Sequence, residues 1–306
     1  MDYQTFSPAW LDAALDLLAH EHIQAGPVLP QRTHFQAGLS ELLAAGAIGA
    51  VAVDAGRLQG FLLAEIHRDE FYGISARVPL VGHAVCAPEL YAGLYAEASG
   101  LWLRQGARKH QLQLAVHDLA AIQAWFELSF GREQLYGVRP LEAGTAATDP
   151  QIRRARPADL DALEPLLSLI LESYAQGPIW EPFVPAQRPA LRQAYASLLE
   201  DPEAQLWLAV TEAGPVAFQM YLPSCPDLMV PEASWDLCTA ATSPAGRRQG
   251  WQQRLLNAAA PRLYDLGARW LFCDWRSTSL SASATWPALG FKPLAWRLTR
   301  QLTSNS

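Results

Sequence analysis

The clearest periodicity in this chain lies in its last quarter. Leu255, Leu256, Ala259, Leu263 and Leu266 recur at spacings of one, three and four, which predicts a helix with a single apolar stripe. Gly267 follows, where a left-handed residue commonly ends a helix. Trp270-Leu-Phe-Cys-Asp-Trp275 then reads as a buried strand, 280–289 as a short Ser/Ala-rich helix running into Gly290-Phe291, and 294–302 as a last strand. Ahead of the helix, Trp235-Asp-Leu-Cys-Thr-Ala-Ala-Thr242 reads as a strand ending in Ser243-Pro-Ala-Gly-Arg247-Arg248-Gln249-Gly250.

The chain repeats this succession. A shift of 161 lays Gly106-Ala-Arg108 on Gly267-Ala-Arg269, and Leu119, Ala121, Trp125, Leu128 and Phe130 on Leu280, Ala282, Trp286, Leu289 and Phe291. A shift of 149 lays Pro8-Ala-Trp-Leu11-Asp-Ala13 on Pro157-Ala-Asp-Leu160-Asp-Ala162, and a shift of 157 lays Ala52-Val53 on Ala209-Val210. Three matches in the same order predict two copies of one domain, 1–142 and 151–306, joined by a linker at 143–150. The growth of the shift from 149 to 161 predicts about 12 extra residues in the second copy, placed near 173–192.

The copies differ where the stripe-bearing helix begins. In the second, Arg247, Arg248 and Gly250 precede it. Glycine lets backbone approach a ligand closely, a helix N-terminus offers unpaired N–H groups and a positive dipole end, and guanidinium groups stay charged. That combination suits a phosphate. In the first copy Cys86-Ala-Pro88-Glu89 stands at the same place: Pro88 suits a first helical turn, but the carboxylate repels an anion. Charge divides the same way. Residues 1–150 hold 9 Lys/Arg and 16 Asp/Glu, a net of −7, whereas 151–306 hold 14 of each. An anionic cofactor is therefore expected in the second copy alone.

At 50% hydrophobic and 17% charged, the 306-residue chain can bury two cores. It has no apolar run of the roughly 18 residues that span a bilayer and no secretory leader pattern at its start. Four Cys without metal-type spacing point to reduced thiols in a cytoplasm and to no metal site. The overall net charge of −7 argues against nucleic-acid partners.

Strand, Arg/Gly loop, helix, strand, short helix and Gly-Phe in this order resemble the coenzyme-binding motifs of the GNAT superfamily of N-acyltransferases. The residues that carry the resemblance are Arg247, Gly250, Leu255-Leu256, Gly267 and Gly290-Phe291. It implies an α/β (α+β) fold of two tandem GNAT-like domains, each a twisted mixed, mainly antiparallel sheet flanked by helices. The two sheets are expected to pair as an intramolecular pseudo-dimer that can be monomeric in solution. The resemblance further implies acetyl-CoA as acyl donor. Cys238, Thr239, Ala240, Ala241 and Thr242 would hold it from the strand, Arg247, Arg248, Gln249, Gly250, Trp251 and Gln252 from the loop and helix start, and Ser277 from beyond the next strand. In that fold the first strand splays from the second, and a backbone N–H near Cys238 to Ala240 polarises the thioester. Two positions depart from the pattern: Gln252 replaces the second small loop residue, and Trp286 stands where many members carry a Tyr as general acid.

Acyl transfer to an amine needs a polarised carbonyl, a deprotonated amine and a proton for the leaving thiolate. All seven His lie between His20 and His117, so the second copy has no His base. Asp236 falls near the family's Glu base; its other reading is a carboxylate held at a strand end. Asp274 is a second candidate. Ser279 stands where members often carry an Asn touching the pantetheine or leaving group; its other reading is a helix N-cap. Trp125 and Trp286 share one repeat position, which suggests packing. Tyr174, Trp180, Phe183, Trp207, Tyr221 and Trp235 make the acceptor side aromatic, and Glu172 and Glu181 are candidates to hold an ammonium group. The expected activity is transfer of an acetyl group from acetyl-CoA to a primary amine of a small molecule, by direct attack in a ternary complex. The other reading is a non-catalytic acyl-CoA-binding or scaffold protein.

Overall fold

A computed structural model describes residues 1–22, 32–144, 149–181, 184–225 and 227–303; Phe183, one of the expected acceptor-side aromatics, lies outside them. In chain order the elements are β1 (Asp2–Thr5), α1 (Leu11–His22), α2 (Arg32–Ala44), β2 (Ile48–Asp54), β3 (Arg57–Asp69), β4 (Gly73–Val78), β5 (His83–Val85), α3 (Leu90–Arg104), β6 (Lys109–Ala115), α4 (Leu119–Glu127) and β7 (Gly131–Pro140). There follow β8 (Ile152–Arg154), α5 (Leu160–Tyr174), α6 (Gln187–Glu200), β9 (Gln205–Thr211), β10 (Gly214–Pro223), β11 (Ser234–Thr242), α7 (Trp251–Asp265), β12 (Trp270–Arg276), α8 (Leu280–Ala288) and β13 (Lys292–Gln301).

Element starts repeat with the shifts read from the sequence. Leu11 and Leu160 open α1 and α5, 149 apart; Ile48 and Gln205 open β2 and β9, 157 apart. Leu90 and Trp251, Lys109 and Trp270, Leu119 and Leu280, and Gly131 and Lys292 are all 161 apart. The extra residues are not gathered in one place. Eight enter before β9, and the other four are a net gain between the starts of β10 and β11, where the connection 224–233 is seven residues longer than the turn 70–72 while β10 is three residues shorter than β3.

The chain divides into two compact units, Met1–Tyr136 with Asp227–Met229 and Leu294–Ser306, and Gly137–Pro226 with Val230–Pro293. In the first, β1, β2, β3 and β4 are antiparallel neighbours, β6 runs parallel to β4, and β13 closes antiparallel on β6. Alternation along the strands supplies both faces. Val51, Val53, Phe61 and Leu63 pack under Leu15, Leu18, Phe35 and Leu39 of α1 and α2. Ala50, Leu62, Leu112 and Leu114 pack under Leu94 and Trp102 of α3 and Trp125 of α4.

The predicted last strand follows the second copy in the chain, yet β13 lies in the first unit. Leu298 is fully buried in that core. On the opposite face Glu133 accepts from Lys109 Nζ (2.6 Å), Gln111 Nε2 (2.7 Å), Arg297 Nε (2.8 Å) and Thr299 Oγ1 (2.7 Å). Four donors on one enclosed carboxylate fix the register of β13 against β6, since a one-residue slip would turn both Arg297 and Thr299 away.

The second unit has β8, β9, β10 and β11 antiparallel and β12 parallel to β11. Leu163, Leu166 and Leu167 of α5 and Tyr195 of α6 cover one face, over Leu206, Leu208, Phe218, Met220 and Ala241. Trp251, Leu255 and Ala258 of α7 cover the other, over Ala209 and Ala217. Both units are thus mixed, mainly antiparallel sheets flanked by helices. No helix among the described residues is long and apolar enough to cross a membrane.

Candidate functional site

β11 and β12 are neighbours at only three positions, Ser234, Trp235 and Asp236 opposite Trp270, Leu271 and Phe272. Beyond them β11 continues along β10 to Thr242 while β12 continues to Arg276, so a gap opens between 237–242 and 273–276. A bulge sits at its start. Leu237 pairs with Tyr221 and Thr239 with Met220, which leaves Cys238 as an extra residue with no opposite number on β10. Such a residue leaves the ladder and re-aims its neighbours. Cys238, Thr239, Ala240, Ala241 and Thr242 line one side of this gap.

The gap leads into the Arg/Gly loop. Ser243 Oγ accepts from Gly246 N (3.2 Å) and caps a one-turn 3-10 segment, Pro244–Gly246, while Gln249 Nε2 donates to Ala245 O (2.9 Å). Arg248 (φ 64°) and Gly250 (φ 73°) are both left-handed, and α7 starts at the next residue. A Cβ at Gly250 would meet nothing within 4 Å, so conformation, not space, is what favours glycine there. Left-handed arginine is uncommon and costs energy that its surroundings must offset. Arg247, Arg248 and Gln249 are exposed around the helix start, where the first-turn N–H groups have no helical acceptors. Arg254, one turn on, makes a bidentate contact with Asp149 (2.7 and 2.8 Å) and lies 4.0 Å from the Trp251 ring centroid.

Gln252 does not crowd this loop. Its side chain turns inward: Nε2 donates to Ala241 O (3.1 Å) and Thr242 Oγ1 (2.9 Å), and Oε1 accepts from Gln219 Nε2 (2.8 Å). Gln219, fully buried on β10, also donates to Gln252 O (2.9 Å) and accepts from the Tyr221 hydroxyl. The departure from the family pattern is therefore a bracket tying the start of α7 to the end of β11. Gln219 escaped the sequence reading, although a Gln amid Val-Ala-Phe and Met-Tyr is the kind of buried polar residue that demands a partner.

At the other end of the gap, Asp236 accepts a hydrogen bond from Ser224 Oγ. Asp236 lies opposite Phe272, so Asp274 and Arg276, two and four residues on, project from the same face. That face is the one α5 and α6 cover, because Leu222, opposite Asp236, packs against their core. Both carboxylates act on the thiols between the strands. Burial and then Asp236 push Cys238 up to about 12; burial and then Asp274 push Cys273 well above the ordinary thiol range. Cys238, the bulge residue, is exposed, whereas Cys273 is buried. Burial also raises the Tyr195 hydroxyl, which lies beside Thr239 and Cys238 and which the sequence reading did not single out.

The remaining candidates separate. Ser279 Oγ accepts from Ala282 N (3.4 Å) as the N-cap of α8, and Ser283 Oγ donates to Ser277 O (3.2 Å). Trp286 packs edge-on against Phe291 (centroids 5.9 Å), as Trp125 does against Phe130 (4.8 Å). Tyr221 and Trp235 are core residues, whereas Trp180 is 75% exposed. Glu172 and Glu181 each face a guanidinium, Arg188 (2.7 Å) and Arg276, so neither is a carboxylate awaiting an ammonium group.

The equivalent region of the first unit is built differently. β4 and β6 stay paired from Ser75 opposite Lys109 to Val78 opposite Leu112. The first N–H groups of α3 turn back onto the chain, Leu90 N to Ala87 O (3.1 Å) and Tyr91 N to Pro88 O (3.1 Å), and no left-handed residue precedes the helix.

No protein-family model matches the sequence, and no curated protein is significantly similar to it. Solved structures are similar over the whole chain. A GCN5-related N-acetyltransferase from Sphaerobacter thermophilus has TM-score 0.64 and 15% identity, covering 100% of this chain and 96% of its own. A tandem GNAT protein from the clavulanic acid biosynthesis pathway has TM-score 0.54 and 12% identity, covering 100% of both chains. A GNAT-family acetyltransferase from Colwellia psychrerythraea has TM-score 0.50 and 14% identity, covering 99% of this chain and 100% of its own. The fold is that of tandem GNAT proteins.

Proposed function

We propose that the second unit transfers an acetyl group from acetyl-CoA to a primary amine of a small molecule, by direct attack of the amine on the thioester. The observation that carries this reading is the continuous path from the bulge at Cys238, along the gap between β11 and β12, to the left-handed Arg248 and Gly250 at the start of α7. The donor set fits an acyl-coenzyme A. Exposed guanidinium groups and unpaired N–H groups meet a pyrophosphate, and a slot lined by strand backbone meets an extended amide-bearing arm. When bound, acetyl-CoA supplies the activated acyl group. The chain's part is to orient its carbonyl with backbone N–H near Cys238 and to accept the amine proton at Asp236, with Asp274 on the same face. Neither thiol serves as a nucleophile, because burial beside two carboxylates keeps both protonated. Asp236 as base acts from a fixed position, because Ser224 Oγ donates to one of its carboxylate oxygens.

A second reading, a non-catalytic acyl-CoA-binding protein, draws on one observation: the usual acid position holds Trp286, packed on Phe291. One experiment addresses both. Acetyl-CoA is titrated by calorimetry into the wild type and an Arg247→Glu/Arg248→Glu variant, with thiol release then followed over an amine panel. One site per chain, weakened about 100-fold or more by the double reversal, is expected. Unchanged affinity would remove the loop as a phosphate site and both readings with it; binding without thiol release on any amine would favour the second.

A further inference from the structure

Arg276 ends β12 at the mouth of the gap, and it projects from the face that also carries Asp236 and Asp274. Its side chain is only 13% exposed. The ring of Tyr174, the last residue of α5, lies 5.6 Å from the guanidinium carbon. Its carboxylate partner, Glu181, comes from neither the sheet nor a helix. Glu181 belongs to the connection after α5, held by short-range backbone bonds: Ile179 N to Gln176 O (3.0 Å), Trp180 N to Gln176 O (3.1 Å) and Glu181 N to Tyr174 O (2.8 Å). Trp180 precedes it with a left-handed backbone (φ 55°) and an exposed indole lying over Gly177.

An enclosed guanidinium requires an anion, and a planar fork prefers a carboxylate bound through two oxygens. Here that anion is delivered by an exposed connection whose Trp180 sits in a conformation that side-chain-bearing residues seldom adopt. We infer that Arg276 is the carboxylate-binding subsite for the acceptor, that Glu181 occupies it in the absence of acceptor, and that the amine substrates are amino carboxylates. Resting on the acyl-transfer reading above, this assigns the two ends of the acceptor. Its carboxylate replaces that of Glu181 on Arg276, while its ammonium group lies toward Asp236 and Asp274 on the same face. Tyr174 and Trp180 flank the exchange point with aromatic surface. Two carboxylates and one guanidinium on one face complement a molecule carrying one positive and one negative group, whereas a plain amine would leave the Arg276–Glu181 pair closed.

The test uses matched pairs, phenylalanine with phenethylamine and β-alanine with ethylamine, in the presence of coenzyme A. Dissociation constants come from ligand-observed NMR, and thiol release is measured in parallel with acetyl-CoA. The wild type is expected to bind each amino carboxylate about tenfold or more tightly than its decarboxylated partner. Arg276→Gln should abolish that preference and leave the plain amines within about threefold. Glu181→Gln, which keeps the arginine and removes the competitor, should tighten amino-carboxylate binding several-fold and keeps the proposal testable if Arg276→Gln does not fold. Equal binding within each pair, a preference that survives Arg276→Gln, no binding of either amino carboxylate, or no effect of Glu181→Gln would each overturn it. The two proposals fail separately: Arg276-dependent binding without thiol release sinks acyl transfer and keeps the subsite, and thiol release indifferent to the carboxylate does the reverse.

Discussion

Replacing Gln252 by alanine separates two views of the coenzyme loop. A comparison of motifs says that a small residue here would improve coenzyme binding. The structure says the opposite, because the Gln252 side chain makes three hydrogen bonds inward, to Ala241 O, Thr242 Oγ1 and Gln219 Nε2, and none to the exposed loop. At about 1 kcal/mol net per bond, their loss comes to about 3 kcal/mol. Freeing the side chain returns up to about 2 kcal/mol of rotamer entropy, and alanine adds a few tenths in helix propensity. Gln219 keeps its bonds to Gln252 O and Tyr221, so its own amide is not left bare. The expected net destabilisation is about 1–2 kcal/mol, or about 2–8 °C in melting temperature for a unit of this size. Because the bracket positions the first turn of α7 against β11, acetyl-CoA affinity should fall as well. Differential scanning calorimetry and acetyl-CoA titration measure the two effects. An unchanged or higher melting temperature, or tighter coenzyme binding, would refute the bracket argument.

Two further outcomes follow from titrating groups. His110 is fully buried with Nδ1 2.8 Å from the Tyr95 hydroxyl, and burial depresses its pKa to about 4. His83 is depressed for the same reason. Unfolded histidine takes up its proton near pH 6.5. The neutral rings therefore contribute stability that is complete above about pH 6.5 and lost as pH falls toward 4. Denaturant midpoints should drop over that window and drop less in His110→Phe; a flat profile would contradict the burial argument. Cys238, raised to about 12, is protonated at neutral pH, so Cys238→Ser should keep transfer within about threefold and intact-protein mass should show no acetylated thiol. Its contribution to stability is present below about pH 9 and lost as pH rises through 12. A pre-steady-state burst on Cys238 would replace direct attack with an acyl-enzyme route.

What was legible in the sequence was carried by contiguous residues. The stripe from Leu255 to Leu263, the Arg247-to-Gly250 loop and the three repeat shifts all match observed elements, because helix starts, turns and strand ends are decided within a few residues; Leu266, read into the same stripe, lies one residue past α7 and is exposed. What was not legible depends on partners far along the chain. β7 and β13 occupy one repeat position and carry similar patterns, with Arg139 on Arg300 and Leu141 on Leu302, so periodicity predicts both strands but not the sheet either joins. That choice rests on Leu298 entering the core of the first unit and on Glu133 meeting Arg297 and Thr299, more than 160 residues away. The acceptor side failed for the same reason. Glu181 read as a free carboxylate because nothing local answers its charge; Arg276, 95 residues on, does. A lone charged residue in a sequence announces a charge but not its sign of use, since a carboxylate can bind an ammonium group directly or keep an arginine ready for another anion. Only the fold distinguishes the two, and here it places Glu181 on the Arg276 guanidinium.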